Sequence, residues 1–255
     1  MAKAMAITGA GRGIGRAIAL RCARDGWAVA LSDLDAASAA QVAREITAAG
    51  GRALPAGLDV TDPSATRAWV DAVDLELGGL TGAVSNAGII NIQPFLEVTP
   101  ETWRRVMAVN LDGAAFFVQA VLRHMTQRRA GSVVMIASAA SRLGSMYSNV
   151  YNTSKTALHG LTRALAIECG PFGVRVNAVS PGVVDTQMWQ QIDRERGRIL
   201  GKPTGHVFRE SIERIPLGRA ETPEDVAKIC AYVLSDEADY MTGQNISYDG
   251  GMAMP

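Results

Sequence analysis

The sequence has few cysteines, and none is placed as in a disulfide framework or a zinc site. The three cysteines are far apart, without any CxxC pair, in apolar contexts typical of helices: Cys22, Cys169 and Cys230. Disulfide frameworks and zinc sites use closely paired cysteines. We therefore expect small buried thiols in a reducing compartment. The three histidines also lack ligand-like spacing, so no metal site is predicted: they are His124, His159 and His206.

An excess of charge of one sign is also missing. Lysine plus arginine and aspartate plus glutamate both number 25, so the formal net charge is zero. Binding to nucleic acid or to an anionic membrane relies on excess positive charge, so neither partner is expected. No window approaches the roughly 20 apolar residues that cross a bilayer, and we find no secretory signal before the first apolar run. The composition predicts a cytoplasmic protein with enough apolar residues for a core.

The sequence does contain a repeating alternation of short apolar runs and longer helical patterns. The predicted strands are Ala4–Thr8, Trp27–Asp33, Arg52–Asp59, Gly82–Ser85, Gly131–Ser138, Val174–Ser180 and Gln244–Tyr248. The predicted helices are Arg16–Arg24, Ala36–Ala49, Ala65–Leu77, a helix around Glu101–Val118, Ala157–Cys169 and Pro223–Leu234. This alternation predicts βαβ units with a parallel sheet buried on both faces. We predict an α/β protein, a single-domain doubly wound Rossmann fold over residues 1–255, with a seven-stranded parallel sheet and helices on both faces.

One segment breaks this alternation. Residues 185–214 are polar and charged, have weak periodicity, and separate the sixth strand from the last helix. Long insertions at the carboxyl end of a strand are usually lids or binding loops. We interpret residues 185–215 as a substrate lid, with an inert surface excursion as the alternative.

A glycine-rich turn follows the first strand. The sequence TGAGRGIG, residues 8–15, joins this strand to the first helix. Glycines let the backbone approach a pyrophosphate, whose charge is then stabilised at the helix N-terminus. Because the turn opens a series of βαβ units, we predict a dinucleotide site. Its predicted binding residues are Gly9, Arg12, Gly13, Ile14 and Gly15.

Acidic residues after the second and third strands refine this prediction. Asp33, followed by Leu34, can accept hydrogen bonds from both ribose hydroxyls of adenosine and would repel a 2′-phosphate. Arg12 could instead pair with such a phosphate. We give Asp33 priority and predict NAD, with NADP less favoured. Asp59 and Val60 are predicted at the adenine edge. Alternatively, the two aspartates only provide charge or caps for the helices that follow.

A second group of residues indicates the chemistry. Tyr151 and Lys155 are four residues apart, which places a phenol and an ammonium on one face of a helix. The ammonium stabilises a phenolate and lowers the pKa of the phenol, so the tyrosine can exchange a proton with an alcohol. Ser138, at the end of a buried strand, can hydrogen-bond the substrate oxygen. A YxxxK spacing alone also fits an ordinary helix surface, and the serine favours the catalytic interpretation.

Together these motifs resemble the classical short-chain dehydrogenase/reductase family over essentially the whole chain. TGAGRGIG corresponds to the glycine motif of that family, Asp59-Val60 to its adenine-binding pair, and YNTSK to its catalytic motif. Ser85–Gly88 resembles its NNAG motif, with serine at the first position, and Pro181–Thr186 resembles the segment that holds the nicotinamide carboxamide. The cofactor-binding residues that the resemblance adds are Asn86, Ala87, Gly88, Tyr151, Lys155, Pro181, Gly182, Val184 and Thr186.

The resemblance also implies roles for the polar residues. Tyr151 would be the general acid/base, Lys155 would lower its pKa and bind the nicotinamide ribose, and Ser138 would orient the substrate oxygen. Asn110 would distort its helix locally and help to position a water that relays protons to Lys155. Hydride would pass directly between the substrate carbon and the cofactor, without a metal. Members of this family are usually homotetramers, which we therefore expect here.

The lid indicates a substrate class. MWQQID…LGKPTGHVF, followed by PLGRAETPEDVA, resembles the lid of meso-2,3-butanediol dehydrogenases and of bacterial sorbitol and related polyol dehydrogenases. Trp189 would form an apolar wall over a small molecule, or would only fasten the lid to the body. The predicted substrate-binding residues are Ser138, Ala139, Ser145, Tyr151, Gly182 and Trp189. The leading hypothesis is interconversion of a secondary alcohol and a ketone in a small vicinal diol or sugar alcohol.

Two other functions stay open at this stage. A 3-oxoacyl thioester reductase of the same family would favour NADPH and a basic docking patch for an acidic carrier protein. Asp33 and the neutral net charge argue against it. A catalytically silent Rossmann protein that senses NAD(H) or scaffolds an assembly would need none of Ser138, Tyr151 and Lys155.

Overall fold

Seven parallel strands form the centre of the structure. A computed structural model of the chain describes residues 3–254, so Met1, Ala2 and Pro255 of the predicted domain lie outside the described residues. The strands are β1 (Ala4–Thr8), β2 (Ala28–Asp33), β3 (Ala53–Gly57), β4 (Gly82–Ser85), β5 (Gly131–Ile136), β6 (Val174–Pro181) and β7 (Asn245–Tyr248). Their order across the sheet is β3-β2-β1-β4-β5-β6-β7, and each neighbouring pair is parallel.

Helices connect these strands. They are α1 (Gly13–Arg24), α2 (Ala36–Ala48), α3 (Pro63–Leu77), α4 (Pro100–Met107), α5 (Gly113–Arg128), α6 (Ala140–Leu143), α7 (Asn149–Cys169), α8 (Gln187–Leu200), α9 (His206–Glu213) and α10 (Pro223–Leu234). Single turns of 3-10 helix cover Phe95–Glu97, Gly170–Phe172 and Asp236–Ala238. The order of the sheet reverses between β1 and β4, which opens a crevice at the carboxyl ends of these two strands.

Both faces of the sheet are buried, as the apolar strands predict. Along β1, the side chains of Met5 and Ile7 enter a core formed with α1, α2 and α10. The alternating residues Ala4 and Ala6 enter a second core formed with α3, α5 and α7. All four are fully buried. Because successive side chains of a strand point to opposite faces, a strand covered on both faces needs a continuous apolar run. The predicted fold class is confirmed.

Several predicted bounds were wrong. The helix that carries the catalytic motif begins at Asn149, eight residues before the predicted start at Ala157. Its first turns are polar because they face a cavity and not the core, so they lack an apolar stripe. The helix predicted around residues 101–118 is α4, a π-helical turn at Ala108–Asp112, and α5, which continues to Arg128. The predicted strand Gly131–Ser138 ends at Ile136.

The polar segment after β6 is helical, which its weak periodicity did not predict. It contains α8 and α9, joined by a loop that a buried carboxylate organises. Asp193 accepts hydrogen bonds from the backbone N–H groups of Gly205 (2.5 Å) and Phe208 (3.0 Å). The Trp189 ring packs against Phe208 with 5.7 Å between ring centroids. These contacts hold the two helices together above the sheet.

One helical stretch contradicts the expectation that no segment is long and apolar enough to span a membrane. Pro100–Arg128 meets that criterion by length and composition, and half of its most apolar window is buried in the fold. Phe117, Val121 and Met125 are fully buried and belong to the core shared with α3 and α7. The apolar character of this helix is therefore explained by packing inside the α/β fold.

Candidate active site

Two adjoining cavities lie at the carboxyl ends of the strands. The catalytic cavity, of about 380 Å³, is lined by Ser138, Tyr151 and Lys155 together with α8 and α9. The nucleotide cavity, of about 490 Å³, is lined by the glycine turn and by the residues after β2 and β3. The residues that line both are Ile14, Asn86, Gly88, Thr186 and Met188. Cavities of this size are typical of small-molecule and cofactor sites.

The glycine turn is held against the segment after β4. Thr8 Oγ1 accepts hydrogen bonds from the N–H groups of Asn86 and Ala87, both at 3.2 Å. Asn86 Nδ2 donates to the carbonyl oxygens of Thr8 (3.1 Å) and Gly9 (2.8 Å). Gly9 has a φ of +64°, and a Cβ there would lie 2.8 Å from Ala87 Cα. Only glycine allows this close approach, and it keeps the floor of the nucleotide cavity flat.

The start of α1 is suited to an anion. Gly13 has a φ of +53° and opens the helix, and no side chain caps its first N–H groups. These free N–H groups, at the positive end of the helix dipole, can bind a pyrophosphate. The predicted residues Gly9, Arg12, Gly13 and Ile14 all line the nucleotide cavity.

Gly15, also predicted to bind the cofactor, lines neither cavity. A Cβ at this position would lie 2.1 Å from the Gly9 carbonyl oxygen and 2.5 Å from Asn86 Nδ2. The absence of a side chain at Gly15 therefore allows α1 to pack against the glycine turn, and its role in cofactor binding stays a prediction. The sequence of a glycine motif does not show which glycines contact a ligand and which allow close helix packing.

The carboxylate of Asp33 is fixed by the backbone. Its Oδ2 accepts from Gly11 N–H (2.9 Å) and its Oδ1 accepts from Asp35 N–H (3.1 Å). The N-cap of α2 is Asp35, which accepts from the N–H groups of Ala37 and Ser38. The alternative that Asp33 serves as the helix charge is therefore unnecessary. Asp33 and Leu34 line the nucleotide cavity, as does Arg12.

Asp59 is likewise free of a capping role. Its Oδ1 accepts from the N–H (2.9 Å) and Oγ1 (2.7 Å) of Thr61. The N-cap of α3 is Asp62, whose carboxylate accepts from the N–H groups of Ser64 and Ala65. Asp59 and Val60 line the nucleotide cavity and not the catalytic cavity.

Tyr151 and Lys155 meet in the catalytic cavity. Lys155 Nζ donates to the Ile136 carbonyl oxygen (2.7 Å) and lies 5.8 Å from the centroid of the Tyr151 ring. Burial lowers the pKa of Lys155 to about 8, so at pH 7 its ammonium keeps its charge beside the phenol. Burial raises the pKa of Tyr151, and a hydrogen bond with Ser138 opposes that rise. Burial therefore disfavours the phenolate of Tyr151, and the hydrogen bond with Ser138 partly offsets this effect.

Ser138 is held in place by a buried histidine. The Ser141 hydroxyl donates to the Ser138 carbonyl oxygen and also lies 3.0 Å from His159 Nε2. Asn245 Nδ2 lies 3.0 Å from His159 Nδ1, which links this network to β7. Burial, with a smaller contribution from nearby arginines, lowers the pKa of His159 to about 4, so the imidazole is neutral. His159 is thus a packed histidine that supports the end of β5.

Asn110 lies in the π-helical turn that the resemblance implies, and it is fully buried. Its Nδ2 donates to the Ile89 carbonyl oxygen (2.9 Å) and to Ser154 Oγ (3.0 Å), and its Oδ1 accepts from Ile89 N–H (2.8 Å). It lines neither cavity and ties the segment after β4 to the catalytic helix α7. Its water-relay role stays a prediction.

The catalytic cavity collects all the predicted substrate residues. The predicted residues that line it are Ile14, Asn86, Gly88, Ser138, Ala139, Ser145, Tyr151, Lys155, Pro181, Gly182, Val184, Thr186 and Trp189. Trp189 both lines this cavity and packs on α9, so its two interpretations are compatible. Within the part of the chain that the structure describes, no three His, Cys, Asp or Glu side chains group as metal ligands.

Sequence reasoning missed the inner faces of the lid helices. The unpredicted lining residues of α8 are Met188, Ile192, Arg196 and Leu200. Those of α9 and the chain beyond it include Val207, Glu210, Ser211, Arg214 and Met252. The four α8 residues are four positions apart, which is one face of a helix. This four-residue spacing in the sequence could have predicted a helix face toward the cavity, but the charged residues between these positions obscured the pattern.

Comparisons with known proteins agree with this geometry. The family model described as enoyl-(acyl carrier protein) reductase matches residues 9–253. The chain is 41% identical to an L-2,3-butanediol dehydrogenase of Corynebacterium glutamicum, over 99% of each chain. It is 39% identical to a short-chain dehydrogenase/reductase of Armillaria gallica, over 96% of this chain and 94% of that protein. A crystal structure of NAD⁺-bound xylitol dehydrogenase superposes with a TM-score of 0.94 at 30% identity, covering 98% of both chains.

These matches run through the glycine turn, the catalytic helix and the lid alike. The arrangement of the two cavities fits an enzyme that binds a nicotinamide cofactor beside its substrate. The chain therefore belongs to the short-chain dehydrogenase/reductase family, as an oxidoreductase of the alcohol and polyol dehydrogenase type.

Proposed function

We propose that this enzyme uses NAD to interconvert a secondary alcohol and a ketone in a small vicinal diol or sugar alcohol. The observation that carries the proposal is the convergence of Ser138, Tyr151 and Lys155 on one cavity of about 380 Å³, walled on its other side by α8. The names of two similar proteins, a butanediol dehydrogenase and a xylitol dehydrogenase, support this substrate class.

The residues of the cavity divide the proton chemistry between them. In the oxidation direction, the Tyr151 phenolate accepts the proton of the substrate hydroxyl, and the Ser138 hydroxyl hydrogen-bonds the same substrate oxygen. The Lys155 ammonium stabilises the phenolate electrostatically, which brings its pKa toward the working pH. The nicotinamide, when bound, supplies the hydride acceptor or donor. The electrons thus leave the carbon as hydride while the proton leaves through the tyrosine.

The nucleotide cavity supports NAD as the partner. Free N–H groups at the start of α1 would hold the pyrophosphate, and Asp33 would hold the adenosine ribose. Two backbone N–H groups fix the Asp33 carboxylate, so it cannot easily swing away from a 2′-phosphate. Repulsion of that phosphate favours NAD over NADP, although Arg12 lines the same cavity.

A cofactor and substrate matrix tests the proposal. The purified enzyme is given NADH or NADPH with acetoin, diacetyl, fructose or an acetoacetyl thioester, and oxidation is followed by nicotinamide absorbance. Turnover of a hydroxyketone or ketose with NADH supports the proposal. Thioester reduction with NADPH would show that Arg12 outweighs Asp33 and that the substrate class is wrong. NADH binding without turnover of any compound would favour a sensing protein.

We also propose a role for the lid, an oligomeric state and a cellular location. Residues 185–215 would close over the substrate, since the inner faces of α8 and α9 line the catalytic cavity. The enzyme would work in the cytoplasm as a homotetramer. Large apolar side chains exposed on α4, α5 and α7 support self-association: Trp103, Phe116 and Ile167.

A further inference from the structure

One positive charge in the catalytic cavity has no counter-charge. Arg196 lies on the inner face of α8 and lines the cavity. Its Nη2 donates to the neutral hydroxyls of Ser145 (2.7 Å) and Ser148 (3.2 Å). Its Nε has no hydrogen-bond acceptor among the described residues. No carboxylate of residues 3–254 forms a salt bridge with it within 4.0 Å.

Two partly buried arginines, Arg128 and Arg175, and the more exposed Arg214 are compensated. Arg128 pairs with Asp74, and Arg214, which also lines the cavity, pairs with Glu210 at 2.5 Å. Arg175 lacks a carboxylate but donates to carbonyl oxygens at the end of α10, where the helix dipole is negative. Arg196 has neither kind of partner. Burial and the nearby Arg214 lower its pKa, which expresses the cost of that uncompensated charge.

The residues that line the whole catalytic cavity also carry a net positive charge. Of the four lining residues that are charged at neutral pH, three are positive and one is negative: Lys155, Arg196, Arg214 and Glu210. A substrate that brought one negative charge would lower this excess. A neutral diol could accept a hydrogen bond but would leave the charge uncompensated.

A second donor beside Arg196 fits an anion. Ser145 lines the cavity, and its Oγ already accepts a hydrogen bond from Arg196. Ser145 Oγ also lies 3.5 Å from Ser148 Oγ, a long contact, so the hydroxyl proton of Ser145 can turn to a ligand instead. A guanidinium and an adjacent hydroxyl donor together match the two oxygens of a carboxylate.

We propose that Arg196 determines the specificity of this cavity, and that the diol or polyol the enzyme oxidises carries a carboxylate, as a short hydroxy acid or sugar acid does. The inference rests on the proposed function and narrows its substrate class. The reacting secondary alcohol lies at Ser138 and Tyr151, and the carboxylate lies at Arg196 and Ser145.

Matched substrate pairs test this inference. Erythritol is compared with erythronate, and sorbitol with gluconate, by the rate of NADH formation from NAD. We expect the wild-type enzyme to favour the acid of each pair in kcat/KM. Arg196→Gln should lower the acid-to-neutral ratio roughly 10- to 100-fold, mainly through KM, because a hydrogen-bonded charge pair is lost. Arg196→Lys should restore part of the ratio, since it keeps the charge.

A control variant separates this effect from a general change of the lid. Arg194 lies on the same helix but is exposed and does not line the cavity, so Arg194→Gln should keep the wild-type ratio. A wild-type enzyme that uses the neutral partner equally well, with the same ratio in Arg196→Gln, would overturn the inference.

Failure of the proposed function gives a different result from failure of the carboxylate inference. If wild-type enzyme forms no NADH from any of the four compounds, the proposed function fails for these polyols and sugar acids. Erythronate binding is then measured by calorimetry in the presence of NADH. Tighter binding to the wild type than to Arg196→Gln would still support the carboxylate site, and equal binding would overturn it.

Discussion

At the scale of single residues, burial sets the charge states on which catalysis depends. Lys155 is buried, yet its pKa of about 8 leaves it protonated at neutral pH. Burial raises the pKa of Tyr151 and so disfavours its phenolate, whereas the hydrogen bond with Ser138 lowers that pKa. The lysine charge is therefore most useful when the tyrosine must accept a proton from an alcohol.

Removing the phenol hydroxyl should stop proton transfer without disturbing the nucleotide cavity. We expect Tyr151→Phe to lower kcat by roughly 10²- to 10⁴-fold, since general acid–base catalysis contributes that much. NADH affinity, measured by fluorescence titration, should stay near the wild-type value. Tyr240→Phe, at a fully exposed tyrosine, is the matched control and should keep full turnover. Unchanged turnover in Tyr151→Phe would exclude the proposed mechanism.

Asp33 should control the choice of cofactor. Asp33→Asn removes the negative charge but keeps the side-chain shape, so repulsion of a 2′-phosphate falls. We expect the NAD-to-NADP ratio of kcat/KM to drop at least about tenfold, because hydrogen bonds to a charged group are worth roughly 1.5–3 kcal/mol. Asp35→Asn is the control, since asparagine also caps a helix well. An equal ratio in wild type and Asp33→Asn would show that Asp33 does not read the ribose.

At the scale of elements, Glu221 ties the segment before α10 to the segment that leaves β6. Its N–H donates to the Val183 carbonyl oxygen (2.8 Å), and its carbonyl oxygen accepts from Asp185 N–H (2.9 Å). Its Oε2 accepts from Gly182 N–H (2.9 Å). Burial raises the pKa of Glu221 to about 8, with Asp225 and Asp249 adding to the rise and Gly182 N–H and Arg219 opposing it.

This pKa predicts a pH-dependent stability. Between pH 4.5 and about 8 the folded protein keeps a proton on Glu221 that the unfolded chain has lost, so the contribution of this group falls as the pH rises. Glu221→Gln stays neutral and still accepts from Gly182. We expect its free energy of unfolding to gain on that of the wild type from pH 5 to pH 8, by at most about 1.4 kcal/mol per pH unit, and its melting temperature to rise relative to the wild type accordingly.

The control for this pH effect is Glu224, an exposed glutamate three residues away in the first turn of α10. Glu224→Gln should show no such trend in scanning calorimetry over the same pH range. A difference between Glu221→Gln and the wild type that does not grow with pH would contradict the raised pKa.

At the scale of the whole molecule, exposed apolar side chains bear on assembly. Ile167 on α7, the helix that also carries the proposed catalytic residues, is 80% exposed. If α7 packs against another subunit, Ile167→Glu should place a charge in that interface and produce smaller particles in size-exclusion chromatography with light scattering. Leu75→Glu is the control, since Leu75 is 84% exposed on α3, outside the proposed interface. A monomeric wild type would exclude the tetramer.

The sequence by itself determined the fold class and the two ends of the site. Apolar strands that alternate with helical patterns specify a parallel sheet, because the strand pattern and the helix pattern are both local and periodic in the sequence. The caps Asp35 and Asp62, which free Asp33 and Asp59 for the cavity, also lie within a few residues of the positions they affect. Motif spacing therefore placed Tyr151, Lys155 and Ser138 correctly in one cavity.

Only the tertiary structure decided which side chains face that cavity and which support it. Gly13 and Gly15 belong to one motif, yet one opens the nucleotide cavity and the other allows a helix to pack. The sequence did not distinguish Arg196 from the other charged residues of α8. Its significance is that no carboxylate of the described residues pairs with it. The physical reason is that burial and charge compensation depend on chain segments far apart in sequence, and local patterns carry no record of them.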